Sequence, residues 1–376
     1  MDDIKVAGER AQVDKLIAHL EATFGKLKAT RGNFVNCGVR HVRHGDGSIE
    51  LNQQEYAMQL KPIVSPELLS GFPDRGLGDR GREGLPSRPA SEQLIAQFIS
   101  LLGAVAYLLL TRVDIAVYVA ALQRVSKAPT VLHVKRLNAV VRWAQRNPKS
   151  LWYHKLPLPV QLLTMGDSAF KRDDSDNTGH AMKGGMFMLH GALAGSVVSG
   201  PIQLLEYFSR KQRHVCRSTY AAELFSLTEA ADVALHLASA LYELAHGVRT
   251  TETLRLIREG GLKSPVAIVV VVDADSVFTS VTAQQVKAPA ERSLLIHLQW
   301  VRELLDRHVL HSLAWCDTRD MVSDALTKGC VDRARVHAAM DGKIVVEFPA
   351  KTWRSKVSLA APVDTLLCSR SASSGG

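Results

Sequence analysis

Four carboxylates stand at positions where they could act together: Asp167 in TMGDSAF, Glu223 in RSTYAAEL, Asp273 closing AIVVVVD, and Asp324 in DALTKG. Asp167 falls in the first strand of a strand-rich stretch, Glu223 near the start of a long helix, Asp273 directly after a central strand, and Asp324 in the last helix. In open α/β sheets ligands gather at strand ends, so these are sensible places for a site. Acids brought together there repel one another unless a cation lies between them. Two Mg²⁺ or Mn²⁺ ions roughly 4 Å apart would supply that charge, activate a water and stabilise the leaving oxygen in phosphodiester cleavage. An all-oxygen ligand set suits such hard ions.

The elements that must position these acids follow from the hydrophobic spacing. Leu224, Leu227, Ala231, Leu235 and Ala238 recur at intervals of three and four, which predicts an amphipathic helix that Ser218 or Thr219 can cap. Glu223 then lies in the first turn or just after it, where the macrodipole favours a negative charge and keeps the carboxylate ionised. Taken alone, it is better explained as a helix-start stabiliser, and only the other acids favour a metal ligand. Strands are expected over 160–169, 184–190, 204–210, 266–272 and 310–316, with helices over 276–282, 289–307 and 320–327. The run AIVVVV lacks alternation, so it is expected to be buried on both faces at the centre of a sheet. Together these give an α/β arrangement, a mixed five-stranded sheet with flanking helices.

Upstream, a short strand is expected at 4–8, a helix over 9–24 ended by Gly25, a hairpin over 33–51 turning at His44-Gly45-Asp46-Gly47, and a helix from near Gln53. Gly, Pro and Arg then dominate to Pro89 and read as a basic linker. Two or three helices follow over 91–145, the last stopped before Pro148. The apolar run Leu94 to Leu110 contains Gln97 and Ser100, which favours a core helix over a membrane span. The resulting division is 1–65, a linker at 66–90, helices at 91–150, the α/β part at 158–330, and a tail at 331–376 that is partly disordered and ends in SRSASSGG.

A formal charge of +9 and a pI near 9.3 point to an anionic partner, nucleic acid first. Five cysteines form no CxxC pair, which excludes a zinc finger and a disulfide framework and fits an intracellular protein, cytoplasmic or nuclear. The opening MDDIKVAGER has no apolar signal region, and no membrane partner is expected.

Three blocks in order, SRKQ with RSTYAAEL, VVDADSVF and DALTKG, resemble the ribonuclease H domain that ends copia-type retrotransposon polyproteins. The resemblance implies a ribonuclease H-like fold over 158–330, with Asp167, Glu223, Asp273 and Asp324 on the family's four metal-binding acids and two Mg²⁺ or Mn²⁺ ions as cofactor. GAVAYLLLTRVDIAVYVAALQRV, with Arg112 and Asp114, resembles the connection between polymerase and ribonuclease H domain in the same elements, and DGSIELNQQEYAMQLKPI resembles their later palm. Asp2 and Asp3 are similar to the end of the reverse transcriptase active-site hairpin, a vestigial polymerase motif in a partial α+β palm. Polymerase activity is not expected from this chain alone, because the fingers and the first palm aspartate would lie upstream.

The activity so implied is hydrolysis of the RNA strand of an RNA–DNA hybrid, with Lys211, Arg213 and Arg217 as phosphate contacts. The alternative is a catalytically inactive transposon remnant that only binds nucleic acid. A missing upstream polyprotein portion or a second subunit is the further partner implied. The chain departs from the family pattern at Ala221, where an acid is usual, and at Asp275, which offers a second acid beside Asp273; strand-end spacing favours Asp273.

Overall fold

The computed structural model describes residues 4–69, 88–170, 181–191, 197–247 and 252–356. Helix α1 (Arg10–Phe24) ends at Gly25, whose φ of 83° is open to glycine, and none of its side chains is buried. No strand forms at 4–8: all five residues are exposed and no neighbouring strand offers a ladder to join. Strands β1 (Phe34–Asn36), β2 (Val39–Arg43) and β3 (Ile49–Asn52) form an antiparallel meander. Cys37 and Gly38, both at positive φ, make its first turn, the two-residue geometry that matches strand twist.

Helix α2 (Gln54–Gln59) leads to α3 (Glu92–Tyr107), α4 (Ala116–Arg124) and α5 (Val131–Arg146). Ser91 caps α3 by accepting from Leu94 N at 3.3 Å. Helix α3 buries Leu94, Phe98, Leu102 and Val105 against α4 and α5, and these share one core with Ala57 and Ile63. Asn138 binds the Ile63 backbone twice, at 2.8 Å each. The chain then returns to the first sheet as β4 (Leu151–Tyr153), paired with β3.

The larger sheet begins with β5 (Val160–Ala169), β6 (Met182–Gly191) and β7 (Gly200–Lys211), all antiparallel. Helix α6 (Thr219–His246) and α7 (Glu252–Arg258) cross to β8 (Ala267–Val272), which lies parallel to β5. Next come α8 (Asp275–Thr282), α9 (Leu295–Asp306) and β9 (Ser312–Trp315), parallel to β8. After these follow α10 (Asp324–Thr327), α11 (Ala334–Met340), β10 (Lys343–Ile344) and β11 (Lys351–Trp353).

The strand order is β10-β7-β6-β5-β8-β9-β11, a mixed sheet in an α/β chain. It has seven strands rather than the expected five. The two additions are edge strands of two and three residues, too short to leave an alternation in the sequence. They belong to 331–356, which is anchored because buried Asp320 pairs with Arg335 at 2.8 Å and accepts from the backbone of Glu347 and Phe348. Helix α7 was not foreseen, and the helix expected over 320–327 divides into a 3-10 turn (Thr318–Asp320) and α10.

Strand β8 explains the unbroken apolar run. Ile268, Val270 and Val272 pack under α6 and α9, whereas Val269 and Val271 face the opposite core with Met165, Met186, Leu326 and Met340. Among the described residues two helical stretches, Glu92–Leu110 and Thr219–His246, are by length and composition apolar enough to cross a membrane; here α3 packs on α4 and α5, and α6 lies across the sheet.

Polar contacts join residues 112–118 to the elements that follow β9. Arg112 donates to Asp114 at 2.9 and 3.0 Å, and His337 of α11 lies 3.2 Å from the same carboxylate. The Tyr118 hydroxyl donates to Gly329 O at 2.7 Å.

Candidate metal centre

Three elements deliver three aspartates to one point. Asp167 sits near the end of β5 opposite Gly184 of β6, Asp273 is the first residue after β8, and Asp324 opens α10. One carboxylate oxygen from each lies within 4.8 Å of the other two. Asp167 and Asp324 are buried, and Asp273 is half-buried.

Two glycines make this convergence possible. A Cβ on Gly166 would meet the Ala230 Cβ and the Ser226 carbonyl, both at 3.1 Å, so its absence lets α6 lie directly on β5. A Cβ on Gly184 would stand 2.6 Å from the Leu326 Cβ, so its absence lets α10 seat on β6. The Ser226 hydroxyl donates to Asp167 O at 2.9 Å, and the Trp315 indole donates to Asp273 O at 2.7 Å, fixing the backbone behind two of the acids.

The charge balance is unfavourable to bare carboxylates. Burial pushes the Asp167 carboxyl up to about 7, with the Asp324 charge adding to it. Burial and the Asp167 charge push Asp273 up to about 6. Burial also raises Asp324, against the pull of Lys328. Thr327 donates its hydroxyl to Asp167 Oδ2, while buried Oδ1 has no hydrogen-bond partner. The Lys328 ammonium lies 2.7 Å from Asp324 Oδ1 and 3.7 Å from Asp167 Oδ1. Burial works against that ammonium, but the Asp167 and Asp324 charges hold it firmly protonated.

Glu223 is partly buried in α6, beyond the first turn, which holds no acid; Ser218 caps the helix by accepting from Ala221 N at 3.1 Å. It stands outside the 4.8 Å set but feels all three aspartates. Burial, then the Asp167 and Asp273 charges, push its carboxyl up to about 10. In the metal-free chain, burial beside like charges outweighs the helix dipole, an effect of about 0.3–1 kcal/mol, and favours the protonated form. Asp275 is exposed and pairs with Lys351 at 2.8 Å, so Asp273 is the acid of this pair that joins the group.

Arg213 and Arg217 are exposed and Lys211 is half-buried on the segment that enters α6. Asp2 and Asp3 lie outside the described residues, as do 70–87 of the expected linker, 192–196 in the connection from β6 to β7, and SRSASSGG. Arg112 and Asp114, singled out by their motif, form a buried ion pair with each other and are not among the converging acids.

Sequence reasoning missed Thr327, Lys328, Gly166 and Gly184. The signal was within reach: Thr327 and Lys328 follow Asp324 by three and four positions, one helical turn, and Gly166 immediately precedes Asp167.

The chain matches no protein-family model, and no curated protein matches it. A buried group of three aspartates could hold a metal ion. The donor set fits one: three hard carboxylate oxygens converge, and one buried oxygen of Asp167 has no hydrogen-bond donor of its own.

Proposed function

We propose that the chain is a metal-dependent ribonuclease of the ribonuclease H type, derived from a copia-type retrotransposon polyprotein, that cuts the RNA strand of RNA–DNA hybrids inside the cell. The observation that carries this reading is the convergence of Asp167, Asp273 and Asp324, drawn from three separate elements, within 4.8 Å at the carboxyl ends of two interior strands of a mixed sheet. The arrangement of β7, β6, β5, β8 and β9, three antiparallel strands followed by two parallel ones, is consistent with it. On the same reading, 1–65 and 91–150 are a part of a polymerase palm and its connecting region.

Asp167, Asp273, Asp324 and Glu223 would hold two Mg²⁺ or Mn²⁺ ions. When bound, the ions neutralise the acids, lower the pKa of a water and stabilise charge on the leaving oxygen. The protein's own residues supply the rest. Thr327 orients Asp167, the indole of Trp315 holds the Asp273 backbone, and the exposed Arg213 and Arg217 with Lys211 hold phosphates along the entry to α6. Contacts to 2′-hydroxyls across a wide minor groove select the RNA strand.

The test is cleavage of an end-labelled RNA–DNA hybrid with Mg²⁺ by the chain and by Asp273→Asn. The expected result is cleavage by the first and none by the second. If both are inactive and both bind hybrid, the chain is an inactive remnant that only binds nucleic acid.

A further inference from the structure

We infer that Lys328 is a tethered cation that occupies the Asp324 side of the acidic group, and that a divalent ion must displace it to load there; this rests on the metal-binding reading above. Lys328 bridges two of the three aspartates, at 2.7 Å from Asp324 Oδ1 and 3.7 Å from Asp167 Oδ1. Its spacing of four from Asp324 on α10 brings ligand and competitor to the same point from one helical turn.

An ammonium and a divalent ion a few ångströms apart repel, and in a partly buried site water screens that repulsion weakly. Both cannot sit between the same two carboxylates. The Lys328 side chain keeps 32% of its surface in water, so a displaced ammonium has an open path outward. The lysine therefore holds the acids together in the metal-free chain and sets the divalent-ion concentration at which the second position fills. A bound phosphodiester would favour loading, because it offers the expelled ammonium a new anionic partner.

The experiment compares Mn²⁺ binding to the full chain, by electron paramagnetic resonance of free Mn²⁺, for wild type, Lys328→Met and Lys328→Arg. Lys328→Met is expected to bind the weaker ion at least about tenfold tighter, as removal of one close repulsive charge implies, and Lys328→Arg is expected to match wild type. A second readout needs no variant. Acylation of Lys328 by acetic anhydride, followed by mass spectrometry, is expected to rise on Mn²⁺ loading as the ammonium moves into water. Wild-type affinity in a folded Lys328→Met, or acylation unchanged by a Mn²⁺ load that does bind, overturns the inference and leaves the metal-binding reading intact. If neither wild type nor Lys328→Met binds Mn²⁺, the metal-binding reading itself falls and takes this inference with it.

Discussion

The hydroxyl of Thr327 donates to Oδ2 of Asp167 and so ties α10 to β5 across 160 positions of chain. This bond favours the ionised form of a carboxyl that burial otherwise pushes up to about 7. A hydrogen bond to a charged acceptor contributes roughly 1.5–3 kcal/mol, so Thr327→Val is expected to weaken Mn²⁺ binding by about tenfold or more. Thr327→Ser should stay close to wild type. Isothermal titration of the three proteins decides the point, and equal affinities would remove Thr327 from the site.

Stability without metal is expected to fall as pH rises from 7 to 9. Glu223 carries its proton in the folded chain up to about 10 but loses it near its ordinary value when unfolded, so in this window the folded state holds the extra proton. The sign is then negative, up to about 1.4 kcal/mol per pH unit for one such group. The buried His41 and His190 and the half-buried His297 and His311, whose pKa values are lowered, give the opposite slope, but only up to their unfolded value near 6.5. Urea unfolding at pH 7, 8 and 9 should show the decline in wild type and its loss in Glu223→Gln. Saturating Mg²⁺ should flatten the wild-type slope as well.

Asp273 and Asp275 separate cleanly by substitution. Asp273→Asn is expected to abolish hybrid cleavage and to raise the melting temperature in EDTA, because it removes one of several mutually repelling acids. Asp275→Asn removes an ion pair whose side chains are both 56% exposed, a kind of pair that contributes about 0–1 kcal/mol. Cleavage rate and melting temperature measured together test both statements. Loss of activity in Asp275→Asn would reverse the assignment.

Gly184→Ala places a methyl 2.6 Å from the Leu326 Cβ, which has no flexible end to yield. Overpacking of this kind costs about 1–3 kcal/mol, and here the strain falls on the seat of α10. A lowered urea midpoint with an unchanged slope, together with weaker Mn²⁺ binding, is the expected pair of results. A stable variant with full affinity would show that α10 can shift without moving Asp324.

Asp114→Asn leaves the Arg112 guanidinium buried with its carboxylate partner gone, a change that costs about 3–5 kcal/mol. Differential scanning calorimetry of wild type and variant reads that loss directly. A shift of less than a degree would mean that the Ala144 carbonyl and the Trp143 ring, which also contact Arg112, suffice.

The long elements were legible from spacing alone. Strand β5 runs over the expected residues, α6 is capped by Ser218 as its sequence allows, and the double burial of β8 followed from its lack of alternation. The short ones were not: β4, β10 and β11 have two or three residues each and exist because a neighbour offers a ladder, a tertiary cause that leaves little local pattern. At the site, the three aspartates could be ordered along the chain but their approach could not, since it depends on side chains missing from Gly166 and Gly184. The pull on Glu223 toward its protonated form in the metal-free chain was hidden in the same way. A helix start is visible in sequence, whereas a ring of like charges closing around it is not.

The acids of the site are contributed in chain order by β5, α6, the end of β8 and α10. A ribosome therefore releases Asp167 long before it releases Asp324, and a nascent or prematurely ended chain lacks the α10 ligand together with Thr327 and Lys328. Partial translation products that stop before α10 would carry the exposed Arg213 and Arg217 and two of the three aspartates without Asp324. The acidic group is thus complete only once α10 has been made.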